Sequence, residues 1–515
     1  MRPLLSPSQM AAADEAAIAA GTPAEVLMDR AGRAVARSAI ALAGGRYGKR
    51  FVVVCGKGNN AGDGFVAARE LLRAGGSVTT FLLNDPTEIR GGARLHLDRL
   101  TAAGARVGPW AGPLPEADVV IDAIFGTGFH GGARDEAAKA IEAINDSPTK
   151  VIAVDIPSGV DGSTGDVETV AVKAHLTIAI AAEKVGSAVG AGAACAGAVR
   201  VVDIGIPVTA SGIGLIEAED VVEWLRPRGV DAHKRSSSVL LIAGSDEMRG
   251  AALLAARGAA RMGAGYVTLA TTGAVKAAAA EAIPEAVVHH VSSSGTIGPE
   301  AIEWLSTALG RADAVGIGPG LGEGDAQREM VTLALREIEV PVVLDADALN
   351  VIADDPAALV ERGATRSTVI TPHPGEMARL LGLSAHEIGS DRPAAARRAA
   401  ERFGCTVLLK GSRTVICTPR GDSFATFVNP TGGPELATAG TGDVLTGALC
   451  AVLARKVDPP EAASAAAYVH GVAGSVAGRE MGRDGVVASD VADALSHAAQ
   501  VVRSAASAPL GDAIP

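Results

Sequence analysis

Phe51-Val52-Val53-Val54-Cys55-Gly56-Lys57-Gly58-Asn59-Asn60-Ala61-Gly62-Asp63-Gly64 is the stretch on which the fold turns. Its apolar, Val-rich start reads as a strand buried on both faces, because a strand with one wet face would alternate. The glycines that follow permit a tight turn and let backbone N–H groups approach a ligand. Residues 64–74 then read as a helix. Outward from here the unit recurs, with short apolar runs at 78–83, 119–124, 151–154, 176–181 and 199–204 and a helix at 135–145. Upstream, Ser6 reads as an N-cap, with Pro7 at the first position of a helix running to Ala20. A second amphipathic helix covers 24–43. Apolar strands alternating with helices imply a parallel sheet covered on both sides, an α/β fold.

From 205 to about 231 the pattern loosens, punctuated by Ile206-Pro207, Ser211-Gly212-Ile213-Gly214 and Arg226-Pro227-Arg228-Gly229. A short helix at 217–225 fits there. The expected organisation is a domain over 1–210, a linker over 211–230, a second α/β domain over 231–505 and a tail over 506–515. The second half restarts the alternation at 239–242, 266–270, 286–291, 314–317, 340–344, 368–370 and 406–409. Runs at 414–417 and 424–428 flank Thr418-Pro419-Arg420-Gly421-Asp422, a hairpin turn. Helical patterns close the chain at 441–453, 460–477 and 488–505. The halves do not resemble each other, so the chain reads as a fusion rather than a duplication.

Composition bounds the function. The chain has 515 residues, 48% hydrophobic and 20% charged, which excludes wholesale disorder. Aromatics are only 3% and the net charge is -12, which speaks against coating nucleic acid. The five cysteines are scattered without a CxxC pair, as in a reducing compartment. The first residues lack a signal-peptide pattern, and no apolar run reaches the roughly 18 to 20 residues of a membrane span. The expectation is a soluble, cytoplasmic protein with no nucleic-acid and no membrane partner.

Within the loop, Gly56, Gly58 and Ala61 match the G-x-G-x-x-G/A spacing of a Rossmann dinucleotide turn, with Asp85 near the end of the next strand. Asp63, however, would repel a pyrophosphate. Asn59, Asn60 and Asp63 better suit a ribose, an amide or a hard cation. Turn chemistry alone also accounts for this stretch. Two more strand ends point the same way. The run at 121–124 leads into Phe125-Gly126-Thr127-Gly128-Phe129-His130-Gly131-Gly132, and the run at 151–154 into Asp155-Ile156-Pro157-Ser158-Gly159. Asp122 and Asp155 sit in or beside apolar strands, where a carboxylate needs a cation, a donor or a catalytic task.

Residues 1–210, including Gly21-Thr22-Pro23 and Leu27-Met28-Asp29-Arg30-Ala31-Gly32, resemble the N-terminal epimerase domain of the YjeF-type NAD(P)H-hydrate repair enzymes. The resemblance implies a Rossmann-like domain in which Asn59, Asn60, Ala61, Gly62 and Asp63 surround the hydrated nicotinamide nucleotide. Gly126, Thr127, Gly128, Phe129, His130, Gly131, Gly132 and Asp155 complete that shell. It also implies a potassium ion near Asn60, Asp122 and Ser158. The family loop commonly reads N-N-G-G-D-G, whereas Ala61 stands here. A positive φ at that position would cost about 1 kcal/mol, and none is expected. A hydroxyl at C6, beside the ring nitrogen, inverts through loss and re-addition or through ring opening. A carboxylate shuttling one proton, here Asp155, would suffice.

In the second half the sharpest motif is Ala437-Thr438-Ala439-Gly440-Thr441-Gly442-Asp443-Val444-Leu445-Thr446-Gly447, which opens a long apolar helix. Backbone N–H groups at such a helix start form an anion hole, and Asp443 is placed to take a hydroxyl proton during phosphoryl transfer. A plain Gly-Asp N-cap has the same spelling. Gly316-Ile317-Gly318-Pro319-Gly320, Asp345-Ala346-Asp347, Thr371-Pro372-His373-Pro374-Gly375-Glu376 and Lys410-Gly411-Ser412 fit one pocket. In it His373 donates hydrogen bonds, Glu376 holds magnesium through water and Lys410 offers a cation to phosphates. No Walker A motif occurs.

Residues 231–505, with Gly244-Ser245, Gly250-Ala251-Ala252 and Met262-Gly263-Ala264-Gly265, resemble the ribokinase-like dehydratase domain of the same family. That implies contacts from Ala251, Gly320, His373 and Asp443 to the hydrated nucleotide. It also implies contacts from Lys410, Gly411, Ser412, Arg413, Thr414 and Gly442 to ADP (or ATP) with Mg2+. Around His233-Lys234-Arg235-Ser236 the family usually has a glycine after the lysine, which this chain lacks. The implied enzyme is bifunctional, an isomerase that interconverts R- and S-NAD(P)HX and a lyase that dehydrates S-NAD(P)HX with release of phosphate and AMP. The expected partners are small molecules, with a homo-oligomer allowed. Two other readings compete: a vitamin-type kinase fused to a nucleotide sensor, marked by a persisting phosphorylated product, and a non-catalytic scaffold indifferent to Asp155→Asn and Asp443→Asn.

Overall fold

The structure, a computed structural model, describes residues 1–209 and 211–507, and of 305–308 the backbone only. The expected tail beyond 507 lies outside the described residues. The chain forms two units, one from Pro3 to Gly214, the other from Leu215 onward together with Met1 and Arg2.

The first unit contains β1 (Arg2–Leu5) from Pro3 onward, β2 (Arg50–Cys55), β3 (Ser77–Leu82), β4 (Arg106–Pro109), β5 (Val119–Ala123), β6 (Lys150–Val154), β7 (Leu176–Ile180), β8 (Glu183–Lys184) and β9 (Ala198–Val202). Seven of them make an all-parallel sheet of order β4-β3-β2-β5-β6-β7-β9. Both faces are apolar, as the continuous Val and Ile runs require: Phe51, Val53 and Ile121 pack on one side, Val52, Val54 and Val120 on the other. The order reverses between β2 and β5, and in such sheets ligands bind beyond the strand ends at that switch point. Strands β1, β4 and β8 were not expected. β8 is two residues long and pairs with β1 through Leu5 and Lys184.

One helix corrects the sequence reading. Helix Asn59–Arg73 begins well before the expected start at 64, so Asn59, Asn60, Ala61, Gly62 and Asp63 are its first turns rather than a loop. Ala61 therefore has helical backbone and needs no positive φ, as expected. The helix Pro7–Ala19 starts as anticipated, with Ser6 and Gln9 forming a capping box.

β10 (Ile213–Leu215) spans the division between the units. The second unit follows with β11 (Ser238–Ile242), β12 (Tyr266–Thr272), β13 (Val287–Ser292), β14 (Ala314–Ile317), β15 (Val342–Leu344), β16 (Thr368–Ile370), β17 (Thr406–Leu409), β18 (Val415–Arg420) and β19 (Ser423–Val428). Their order is β13-β12-β11-β14-β15-β16-β17-β18-β19, parallel as far as β17, with the β18–β19 hairpin antiparallel. The switch point falls between β11 and β14. Residues 215–230 are not a free linker. Ile216, Val221 and Leu225 join the core of this unit, with helix Ala218–Trp224 carrying Val221. The hairpin turn narrows to Gly421-Asp422. Among the described residues no helix is long and apolar enough to cross a membrane.

Candidate functional site

The first unit holds a cavity of about 1050 Å³ lined by Gly58, Asn59, Asn60, Asp63, Phe125–Phe129, His130 and Asp155. It lies where β2, β5 and β6 end, and it brings most of the expected residues together. Asp14, Lys184 and Arg134 are among the lining residues that were not anticipated. Gly131 and Gly132 are not among its lining residues, and Ala61 is fully buried.

Asp155 follows β6 in a left-handed conformation, φ 70°, an outlying geometry for a non-glycine residue. Its Oδ1 accepts from Lys184 Nζ and, at 3.0 Å, from Ile180 N. Lys184 is fully buried and also donates to Ile180 O at 2.8 Å. Sequence reasoning missed Lys184 because a lone lysine 29 residues downstream of Asp155 carries no local signal. Only the β7–β8 connection brings it back. Burial, then the charge of Asp155, holds the Asp63 carboxyl well above the usual range, while Lys184 pulls it down. Asp14 is likewise raised, chiefly by burial.

Asp122 is fully buried at the end of β5. It accepts from Ser158 N at 2.8 Å, Ser158 Oγ at 2.5 Å and Ile124 N at 3.2 Å. Burial pushes its carboxyl up to about 6, against these hydrogen bonds. Asn60 Nδ2 donates to Phe125 O at 2.8 Å, and Phe125 N donates to Ser158 Oγ at 2.8 Å. Asn60, Asp122 and Ser158 are thus tied into one cluster. Asp122 has only neutral donors, with no cationic side chain paired to it among the described residues. An uncompensated buried carboxylate among carbonyl and hydroxyl oxygens fits a monovalent cation.

In the second unit, helix Thr441–Leu453 starts at Gly440, φ 92°, where a side chain would also strike Leu254. Asp443 stands in its first turn. Burial, then the charge of Asp345, lifts its carboxyl to about 7, against Lys410. Lys410 Nζ is 2.6 Å from Asp345 Oδ1 and 3.9 Å from Glu376 Oε2. Thr446 Oγ1 donates to Asp345 Oδ2 at 2.5 Å. A Cβ on Gly320 would meet Ala251 Cβ at 2.9 Å, so these two expected residues are neighbours. Gly411, φ 138°, packs on the Arg392 guanidinium, which donates to Leu409 O and Lys410 O at 3.1 Å each. Ser412 and Thr414 follow on the same connection, Thr414 Oγ1 donating to Gly411 O at 3.1 Å, and Arg413 between them has φ 55°.

His373 presents Nε2 at 3.4 Å from Glu376 Oε1. Its Nδ1 accepts from Gly375 N at 2.9 Å and Glu376 N at 3.4 Å, so that atom caps its own helix and is no donor. Glu376 returns the cap, accepting from His373 N at 2.7 Å. Asp443, Asp345, Asp347 and Glu376 act on one another here, with Lys410 the cation among them. Among the described residues no three His, Cys, Asp or Glu side chains converge as a ligand set. A Mg2+ fits this site only on a ligand's own phosphates, completed by water.

Comparison with known proteins follows the same division. Residues 239–497 match the family described as NAD(P)H-hydrate dehydratase, and residues 24–186 the YjeF-related protein N-terminus. A bifunctional NAD(P)H-hydrate repair enzyme of Moorella thermoacetica is 39% identical, over 92% of this chain and 92% of that protein. One of Thermofilum pendens is 37% identical, over 95% and 94%. A solved structure of the ADP/ATP-dependent NAD(P)H-hydrate dehydratase of Bacillus subtilis, co-crystallised with ATP and Mg2+, is 30% identical. It covers 57% of this chain and 100% of its own, with a TM-score of 0.47.

Proposed function

The chain belongs to the bifunctional NAD(P)H-hydrate repair enzymes, and on that premise we propose that its first unit epimerises R- and S-NAD(P)HX at C6 and its second dehydrates the S form with ADP or ATP. It is an isomerase and a lyase in one polypeptide. The observation that carries the reading is Asp443, a half-buried acid at a helix N-terminus with a carboxyl near neutrality, beside the Lys410 ammonium.

In the second unit the amides of helix Thr441–Leu453 and Lys410 receive the nucleotide's phosphates, where the helix dipole is positive. Gly411, Ser412, Arg413 and Thr414 line that approach, and Gly442 keeps it open. Ala251, Gly320 and His373 hold the hydrate. Asp443 accepts the C6 hydroxyl proton as that oxygen attacks the terminal phosphorus, and the nucleotide leaves shortened by one phosphate. The ring-nitrogen lone pair then expels phosphate from C6. Loss of a C5 proton restores the double bond. With ADP the second product is AMP. Bound Mg2+ would neutralise charge on the phosphates in transfer.

In the first unit Asn59, Asn60, Asp63, the loop Gly126–His130 and Asp155 surround the hydrate, with Asp155 moving the proton. Potassium would sit on Asp122, Ser158 and Asn60. The fusion has a chemical logic, since hydration produces both epimers and the dehydratase consumes one.

The test is to incubate each purified hydrate epimer with the full chain, with and without ADP. Chromatography follows each epimer, and phosphate release is assayed in parallel. Interconversion without ADP, and recovery of NAD(P)H with one phosphate released per turnover, support the reading. A stable phosphorylated product would favour the kinase alternative, and consumption of neither epimer would reject both activities.

A further inference from the structure

The first cavity contains more acid–base groups than the mechanism above uses: Asp14, Asp63 and Lys184 line it beside Asp155. Lys184 and Ile180 N both hold Oδ1 of Asp155. Oδ2 takes no hydrogen bond among the described residues. A carboxylate anchored on one oxygen is a directional base, with its other oxygen left to the ligand. Lys184 has no exposure at all, and a buried ammonium without its anion is strongly disfavoured, so the two are held as an ion pair.

Asp63 is placed differently. It is 8% exposed, on helix Asn59–Arg73, and its carboxyl has no hydrogen-bond partner or ion pair among the described residues. The charged groups that act on it are Asp155, Lys184 and Asp14, from the end of β6, from β8 and from helix Pro7–Ala19. We infer that Asp63 and Asp155 form a two-carboxyl acid–base pair for inversion at C6, with Lys184 as the positioning residue that sets which of them carries the proton. The inference rests on the epimerase reading of this cavity. Burial and the Asp155 charge raise the Asp63 carboxyl well above the usual range, towards the protonated form a general acid requires.

The step balances as follows. Asp63 gives its proton to the C6 hydroxyl. The C6–O bond breaks with both electrons on oxygen, and water departs as the N1 lone pair forms N1=C6. Water attacks the opposite face, the N1=C6 pair returns to N1, and Asp155 Oδ2 takes the surplus proton. The site then holds the proton on Asp155 and the charge on Asp63, the arrangement that serves the reverse inversion. No oxidant, reductant or co-substrate is needed.

The test uses the full-length chain and each hydrate epimer without nucleotide, across pH. Asp63→Asn should lower epimerase kcat by roughly 10²- to 10⁴-fold with KM within about threefold, the KM showing that the pocket still forms. Lys184→Met should lower kcat and move the alkaline limb of the kcat/KM profile to higher pH, because removing the ammonium raises the carboxyl of the proton donor Asp63. Lys184→Arg should restore part of the rate and move the limb back. Dehydration of the S epimer with ADP should be unchanged in all three. Asp63→Asn with wild-type kcat, or Lys184→Met with a lowered rate and an unmoved profile, overturns the pair. A wild-type chain that interconverts neither epimer overturns the epimerase reading itself, and this inference with it.

Discussion

Lys410 Nζ, at the end of β17, lies 2.6 Å from Asp345 Oδ1, at the end of β15. A Cβ on Gly442 would stand 3.5 Å from the same ammonium, so Lys410 also sits over the first turn of helix Thr441–Leu453. Three elements thereby converge on the Lys410 ammonium. Lys410→Met leaves Asp345, 1% exposed, with Thr446 as its remaining side-chain donor. Loss of one partner of a buried pair typically costs about 3 kcal/mol. Denaturant unfolding should show a loss of that size in the second unit. The nucleotide KM should rise at least ~10-fold while epimerisation proceeds at the wild-type rate.

Asp443 gives a prediction with opposite signs for activity and stability. Its carboxyl titrates near 7 in the fold, against 3.8 for the free group. The folded state therefore binds more protons between those values, and stability falls as pH rises through that window. The proposed base Asp443 acts in its ionised form, so the dehydration rate should climb as pH passes 7. Asp443→Asn should abolish dehydration, by roughly 10²-fold or more, and raise the ligand-free melting temperature at pH 8 relative to wild type. An unchanged dehydration rate would remove Asp443 from the chemistry.

The potassium proposed at Asp122 gives a cation test. Among the described residues the Asp122 charge is met by Ser158 and Ile124, all neutral donors. A bound cation would also steady Phe125 and hence the stacked Phe125–Phe129 pair, whose rings lie 4.6 Å apart at the cavity wall. Replacing K+ with tetramethylammonium should slow epimerisation about 10-fold or more and leave dehydration unchanged. Asp122→Asn should be slow in either salt. A wild-type epimerase indifferent to the cation would discard the site.

Local signals in the chain were enough for most strands and for the glycine- and acid-rich ends that build both sites. Residues 368–370, 406–409 and 441–453 coincide with their elements because apolar runs meet turn residues at both ends. What stayed hidden depends on distant pairing. β8 is two residues long and exists through its pairing with β1, so neither it nor Lys184 has a pattern of its own. Asp14 looks like one more polar residue of an Ala-rich helix until that helix meets the cavity. Residues 215–230 look like a linker because Pro and Gly dominate their end, although Ile216, Val221 and Leu225 are buried. His373 was read as a donor, and nothing in the sequence announced that its Nδ1 also caps the helix opened by Pro374-Gly375-Glu376.

Ala61 and Gly62 are neighbours with opposite tolerance, which tests whether helix Asn59–Arg73 really starts inside the motif. Ala61 has helical backbone and no exposure. Ala61→Gly, which restores the spelling common in the family, should destabilise the first unit by about 1 kcal/mol through backbone entropy and leave the epimerase kcat within about twofold. Gly62 has no such freedom. A Cβ there would stand 2.4 Å from Met28 Sδ and 3.2 Å from Ala93 Cα, so Met28 must move, and Met28 lines the cavity. Gly62→Ala should therefore raise the hydrate KM and cost about 1–3 kcal/mol as overpacking. If the segment were an open glycine loop, the order would reverse: Gly62→Ala would be mild, and Ala61→Gly would raise activity. Thermal melting and epimer chromatography on the two variants separate these outcomes.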